Sequence, residues 1–170
     1  ASILLLIGPP GTGKTTFIRG LLQHSEASAI VSYDSNVLEK DYVFANFIEG
    51  EKNVLVLEDA DMFLKARSEG NTMMHKFLNV GDGLVTTRNK KLIFSTNLPS
   101  IRDIDSALIR PGRCYDILHF EELSQEQAEK LATKVGTKLN RERESWSIAD
   151  VFFEQNTNTK KTIERKMGFV

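Results

Sequence analysis

Apolar and polar positions alternate in blocks along the chain, and the blocks predict strands separated by helices. Five short apolar runs are strand-like, at 2–7, 28–33, 53–58, 91–96 and 115–120. The stretches between them have helical spacing, at 14–24, about 37–49, 60–66 with 71–80, and 104–109. Nearly continuous apolar strands that alternate with helices are typical of a parallel sheet covered on both faces. The pattern therefore predicts an α/β fold, whose ligands bind beyond the carboxyl ends of the strands.

From about residue 121 the pattern becomes polar and helical. Ser124, with Gln127 three residues later, forms a capping-box signature. The stretch 125–140 then predicts an amphipathic helix, and further short helices are expected around 147–155 and 158–167. We therefore divide the chain into a core at 1–120 and a smaller helical part at 121–170.

Composition narrows the class of protein. The chain has 170 residues, 41% of them apolar, and a net charge of −1, which gives no support for binding to nucleic acid or a membrane surface. The single cysteine, Cys114, excludes an internal disulfide and suits the cytoplasm or another reducing compartment. No apolar run approaches the roughly 20 residues of a membrane span. Because the first strand begins almost at residue 1, we expect a fragment of a longer protein.

A glycine-rich string, Gly-Pro-Pro-Gly-Thr-Gly-Lys-Thr at 8–15, lies between the first apolar run and the first helix. This is the strand, loop and helix context of a phosphate-binding loop. Glycines let the backbone approach an oxyanion, and the amino end of the helix directs N–H groups at it. Lys14 is expected to reach the β- and γ-phosphates, and the Thr15 hydroxyl to bind Mg²⁺. The predicted nucleotide-binding residues are Gly8, Pro9, Pro10, Gly11, Thr12, Gly13, Lys14, Thr15 and Thr16.

Two further strands end in polar residues. Glu58 and Asp59 follow four apolar residues, and Asn97 follows the fourth apolar run. A carboxylate pair beside a phosphate loop serves Mg²⁺ and the attacking water, and Asn97 is placed to orient that water or to contact the γ-phosphate. Taken alone, the carboxylates also fit a solvated strand end, and an asparagine before Leu-Pro also fits a turn.

The string Ile-Asp-Ser-Ala-Leu-Ile-Arg-Pro-Gly-Arg at 104–113 resembles the second region of homology of AAA-type ATPases. Gly8–Thr15 resembles the Walker A loop of that family, Val54–Asp61 its Walker B block, and Asn97 its sensor-1 residue. Arg110 and Arg113 match the paired arginines that reach the γ-phosphate held by a neighbouring subunit.

Two weaker likenesses to the family accompany these motifs. Arg67 follows the Walker B block, and 79–84 resembles the helix end before sensor 1.

The resemblance implies an αβα sandwich of the P-loop NTPase class, with a five-stranded parallel sheet in the order 5-1-4-3-2 and a partial helical lid at 121–170. It also implies an ATPase that uses ATP and Mg²⁺ and that works as a homo-oligomeric ring, usually hexameric. Its arginines act in trans, so turnover requires oligomerisation. The expected function is a protein-remodelling module, chaperone- or translocase-like, with an unidentified protein substrate.

The carboxylate pair departs from the family pattern. Most AAA proteins have Asp-Glu where this chain has Glu58-Asp59. We assign Glu58, with Thr15, to the metal and Asp59 to the water, because the surrounding strings resemble the Bcs-type chaperone branch. The alternative is an assembly scaffold that binds nucleotide with negligible hydrolysis. A nucleic-acid motor and a small-molecule kinase fit the motifs less well.

The usual aromatic pore loop of ring translocases is not recognisable after the second strand. The aromatic residues Tyr42, Phe44 and Phe47 have helical spacing, which indicates a core face instead. The basic residues of the tail, Lys160, Lys161, Arg165 and Lys166, are interpreted as a solvated helix face.

Overall fold

A computed structural model describes residues 1–33, 41–66, 70–71, 73–82, 89–140 and 142–160. The strands are β1 (Ile3–Ile7), β2 (Ala29–Ser32), β3 (Val54–Leu57), β4 (Lys91–Thr96) and β5 (Cys114–His119). The helices are α1 (Lys14–His24), α2 (Asp41–Glu49), α3 (Asp61–Leu64), α4 (Met74–Asp82), α5 (Gln125–Val135) and α6 (Ile148–Lys160). The chain divides into two compact units, the first made of residues 1–8 and 14–120, the second of 9–13 and 121 onward.

The five strands form one parallel sheet in the order β2-β3-β4-β1-β5, which is the expected order 5-1-4-3-2 read from the other side. The α/β fold of a P-loop NTPase is thereby confirmed. Ile7 pairs with Thr96 and with His119, and Leu57 pairs with Phe94. This register aligns the ends of the central strands, so the residues that follow them share one edge of the sheet. We call this the carboxyl edge.

Gly8 leaves β1 at a point where no side chain fits. A Cβ atom on this residue would lie 2.0 Å from the carbonyl oxygen of Phe120, and its φ is +157°. The Phe120 N–H donates to the Ile7 carbonyl oxygen at 2.7 Å, which holds the ends of β1 and β5 together at this point. A glycine is therefore required where the loop begins.

Phenylalanine rings dominate the larger of the two apolar clusters in the first unit. Phe47, Phe77 and Phe94 are fully buried, and the rings of Phe77 and Phe94 meet edge to face with centroids 5.1 Å apart. Phe44 is partly buried against this cluster, so the expected core face of α2 is present. Tyr42 was wrongly included in that face, because it is 59% exposed.

The second unit has a small core of its own, built around one tryptophan. Trp146 is fully buried with Ala128, Ala132 and Val151. The predicted capping box at Ser124 is present, with both reciprocal hydrogen bonds to Gln127. The indole N–H of Trp146 donates to Gln125 Oε1 at 2.7 Å, so the buried ring has no unsatisfied donor.

Three predicted helices are wrong in extent or kind. Residues 104–109 form turns, because the Asp105 carboxylate accepts the Ala107 N–H at 2.9 Å and so replaces a helical bond. The helix predicted at 125–140 ends at Val135, because Gly136 adopts a left-handed conformation with φ of 74°. The helix expected at 147–155 extends to Lys160 as α6, and most of the helix expected at 158–167 lies outside the described residues.

Several predicted features lie outside the described residues, namely Arg67, Gly83 and Leu84, and the tail beyond residue 160. Within the described part of the chain, no helix is long and apolar enough to cross a membrane.

Candidate functional site

The glycine-rich loop joins the end of β1 to the start of α1, as the sequence predicts. Gly11 and Gly13 have φ values of 77° and 98°, which favour glycine. The Thr12 hydroxyl donates to the Pro9 carbonyl oxygen at 2.8 Å and closes the loop on itself. α1 begins at Lys14. The first turn of a helix is where backbone N–H groups and the helix dipole favour an anion.

Residues 9–13 belong to the second unit, where they contact the start of α6. The Ala149 N–H donates to the Gly11 carbonyl oxygen at 3.0 Å, and a Cβ atom on Gly11 would lie 3.0 Å from Ser147 Oγ. The Ser147 hydroxyl in turn accepts the Asp150 N–H at 3.0 Å, which caps α6. The contact between the loop and this helix was not predicted from the sequence.

Lys14 is buried at the start of α1, and its ammonium group contacts two polar groups at the carboxyl edge. Nζ donates to the Gly8 carbonyl oxygen at 2.6 Å and to Asn97 Oδ1 at 2.9 Å. Burial lowers the pKa of Lys14 below its usual value, and the negative charges of Asp59 and Asp61 partly oppose this. The cation is thus fixed at the carboxyl edge, next to the carbonyl oxygen of Gly8.

Thr15 and Glu58 form the predicted metal pair. The Thr15 hydroxyl donates to Glu58 Oε2, which brings two oxygen atoms together at the start of α1. Mg²⁺ takes oxygen ligands and usually one or two protein side chains, with phosphate oxygens and water completing its shell. The residues present fit that requirement. No cluster of three or more His, Cys, Asp or Glu suited to a metal occurs among the described residues.

Asp59 and Asn97 lie in direct contact, although 38 residues separate them in the sequence. Asn97 Nδ2 donates to Asp59 Oδ1 at 3.0 Å, while Asn97 Oδ1 accepts from Lys14. An ammonium only donates and a carboxylate only accepts, so these two neighbours fix which way the amide points. Asp59 has a φ of 51°, an uncommon value for a residue other than glycine. The Ser95 hydroxyl accepts the Asp59 N–H at 3.3 Å and helps to hold this conformation.

Asp61 was not singled out from the sequence, although it closes the predicted Walker B string. Its Oδ1 accepts the hydroxyl proton of Thr96 and also the backbone N–H of Asn97, the latter at 3.0 Å. The available signal was an aspartate two residues after Asp59 and a Thr-Asn pair at the end of another strand. Only the sheet order shows that these two places are adjacent.

Arg110 and Arg113 precede β5 and therefore lie at the opposite, amino edge of the sheet. The Arg113 carbonyl oxygen accepts the N–H of Ser2 at 2.9 Å and that of Ile3 at 3.1 Å, at the start of β1. The Arg113 side chain donates from Nη1 to the Ala107 carbonyl oxygen at 2.8 Å, whereas Arg110 is exposed. Within one chain, the fold does not bring these arginines to Lys14, Asp59 and Asn97.

Comparisons with known proteins show which family the chain resembles. Residues 4–122 match the model of the family described as "ATPase family associated with various cellular activities (AAA)". The 26S proteasome regulatory subunit 8 of Caenorhabditis elegans is 32% identical over 127 residues, which covers 65% of this chain and 30% of that protein. Its homologue from Schizosaccharomyces pombe is 31% identical over 129 residues, covering 65% of this chain and 31% of that protein.

The Saccharomyces cerevisiae homologue is 30% identical over 129 residues, with the same coverage of 65% and 31%. The chain thus spans about 30% of the length of these curated relatives. Similarity to the Bcs-type branch stays a prediction.

Proposed function

The chain belongs to the AAA family of ATPases, and we propose that it binds ATP with Mg²⁺ and hydrolyses it as one subunit of a ring-forming, protein-remodelling machine. The observation that carries this proposal is the continuous series of contacts from Lys14 through Asn97 to Asp59, beside the Thr15–Glu58 pair. It joins a phosphate-binding cation, a carboxylate able to accept a proton, and two oxygen ligands for a metal in one cluster.

The loop and α1 bind the triphosphate in this proposal. The N–H groups of the helix start and the Lys14 ammonium neutralise the β- and γ-phosphates. Thr15 and Glu58 would hold Mg²⁺, and the ion would supply positive charge to the phosphate oxygens. Burial lowers the pKa of Lys14, and a bound phosphate would favour its charged form.

Asp59 accepts a proton from the attacking water, and Asn97 orients the water and the carboxylate. General-base catalysis of this kind contributes about 10²–10⁴ in rate. The exposed position of Asp59 leaves its second oxygen open to the water, while Nδ2 of Asn97 holds the first. Most of the family has Asp-Glu where this chain has Glu58-Asp59. Asp59, the shorter acid, has a left-handed backbone, and we propose that this conformation lets its carboxylate reach the water.

In this proposal, oligomerisation supplies arginines to the site. Lys14, Asn97 and Asp59 are joined at the carboxyl edge, whereas Arg110 and Arg113 lie at the amino edge of the same chain. We therefore propose that Arg110 and Arg113 complete the site of a neighbouring copy, in a ring that is usually hexameric in this family. Arginines supplied in trans raise phosphoryl-transfer rates by roughly 10³–10⁵ in GTPases.

A protein is the proposed substrate, in a cytoplasmic or other reducing compartment. The relatives named above are regulatory subunits of the 26S proteasome, which supports a role in handling proteins rather than nucleic acid. Because the chain covers only about 30% of those relatives, the identity of that protein and of the ring partners is part of the proposal.

ATP turnover by the full-length protein tests the proposal. Asp59→Asn should lower turnover at least about 10²-fold, since it removes the base. It should leave ATP binding nearly unchanged, since asparagine has nearly the same size and shape as aspartate. Lys14→Ala should abolish ATP binding. Asp103→Ala, which removes an exposed carboxylate from the turn at 101–103, is the matched control and should have no effect.

Two results would contradict the proposal. If the wild-type assembly binds ATP and assembles on it without releasing phosphate, the alternative of a nucleotide-dependent scaffold is correct. If Asp59→Asn turns over ATP at the wild-type rate, Asp59 is not the base.

A further inference from the structure

We propose that Asp61 is a positioning residue for ATP hydrolysis, which holds Asn97 between Lys14 and Asp59. The inference rests on the function proposed above and assigns a role to a residue outside the predicted site. Asp61 is the first residue of α3, two residues after Asp59. Its contacts run to the end of β4 and not to the loop that binds phosphate.

One oxygen of Asp61 receives both hydrogen bonds. Oδ1 accepts from the hydroxyl of Thr96, which is fully buried, and from the backbone N–H of Asn97 at 3.0 Å. Hydrogen bonds to a charged acceptor are roughly twice as strong as those between neutral groups. The backbone from which the Asn97 side chain projects is therefore anchored by a carboxylate.

The same two segments are joined at two more points. The Ala60 N–H donates to the Ser95 carbonyl oxygen at 2.8 Å, and the Asp59 N–H donates to Ser95 Oγ at 3.3 Å. Residues 59–61 thus clasp residues 95–97 through backbone and side chains together. We call this set of bonds the 59–61/95–97 clasp. It fixes the separation between the Asp59 carboxylate and the Asn97 amide.

The amide of Asn97 needs such fixing because it bridges groups of opposite charge. Its Oδ1 faces the Lys14 ammonium and its Nδ2 faces the Asp59 carboxylate, so a small rotation or shift weakens both contacts. Displacement of a reacting group by about 1 Å can cost on the order of 100-fold in rate. Losing the anchor at Asp61 should therefore slow hydrolysis through Asn97, without removing any group that binds ATP.

Steady-state kinetics of the full-length protein test this role. Asp61→Ala should lower kcat about 10- to 100-fold and change the KM for ATP by less than about threefold, since the anchor affects the chemical step only. Asp61→Asn keeps an oxygen in the place of Oδ1, so it should restore kcat to within about fivefold of wild type. Asp103→Ala serves again as the matched control for loss of a carboxylate.

A double-mutant cycle separates positioning from direct action. If Asp61 acts through Asn97, Asp61→Ala should cause no further loss of kcat in a protein that already carries Asn97→Ala. Thr96→Val, which removes the hydroxyl donor to Asp61, should behave in the same way, and Thr96→Ser should restore the rate. If Asp61→Ala does not fold, the comparison of Thr96→Val with Thr96→Ser tests the proposal instead.

The outcomes distinguish the two proposals. A wild-type protein without ATP turnover overturns both. With an active wild type, the role of Asp61 is overturned by losses of kcat that multiply with Asn97→Ala, or by an Asp61→Asn variant as slow as Asp61→Ala. Either result would assign Asp61 to the metal or the water directly.

Discussion

The two edges of the sheet differ in how their polar residues are held. At the carboxyl edge, Asn97 contacts both Lys14 and Asp59, and each of the three lies at the end of a different strand or at the start of the helix that follows. At the amino edge, Arg110 is exposed, while Arg113 bonds to a nearby carbonyl oxygen. The length of β1 alone separates the edges by roughly 13 Å, at about 3.3 Å per residue over Ile3–Ile7. One chain therefore holds Lys14, Asn97 and Asp59 together at one edge and carries Arg110 and Arg113 at the other.

The largest expected effect comes from combining variants of the two edges. Arg110→Ala should bind ATP but lose about 10³-fold in turnover, because it lacks the cation opposite the γ-phosphate. Mixing it with Asp59→Asn during assembly should restore about a quarter of the wild-type rate, since about one in four neighbouring pairs then combines an intact Asp59 with an intact Arg110.

Subunits mixed only after assembly are the control for that experiment and should stay inactive. If the co-assembled variants also stay inactive, Arg110 does not act in trans, and the division of labour between the edges is wrong.

A smaller effect should separate the two arginines. Arg113→Ala removes the hydrogen bond to the Ala107 carbonyl oxygen and should lower the free energy of unfolding by about 1 kcal/mol. Arg110→Ala, its matched control, should leave that free energy unchanged, because the side chain is exposed. Denaturant titration measures both. Equal stability of the two variants would show that Arg113 is not held by its own chain.

The smallest effect concerns the pH dependence of stability at the carboxyl edge. Burial lowers the pKa of Lys14 below its usual 10.5, so at alkaline pH the unfolded chain binds more protons than the folded one. The contribution of Lys14 to stability should therefore improve as pH rises from the folded-state pKa towards the usual value. Lys14→Met has no such proton. Over that pH range, the unfolding free energy of the wild type should therefore rise relative to that of Lys14→Met. A wild-type value that falls relative to Lys14→Met as pH rises would contradict the lowered pKa.

The loop and the strand ends were predictable because each is a local pattern. Gly8, Lys14 and Glu58 were identified from an apolar run followed by a short motif, and the five strands lie within a residue or two of their predicted places. The helix predicted at 104–109 failed because the Asp105 side chain competes with the backbone for the Ala107 N–H. The prediction that Tyr42 belongs to the core face was wrong, because helical spacing alone does not tell which residues lie at the border of that face.

The sequence by itself determined the class of fold, the phosphate-binding loop and which polar residues end the strands, because these depend on neighbours within a few positions. Only the tertiary structure decided that Asp61 anchors Asn97, that Asn97 bridges Lys14 and Asp59, and that the arginines lie at the other edge. These contacts join residues more than 30 positions apart. They arise from the order and register of strands in the sheet, which no local pattern records.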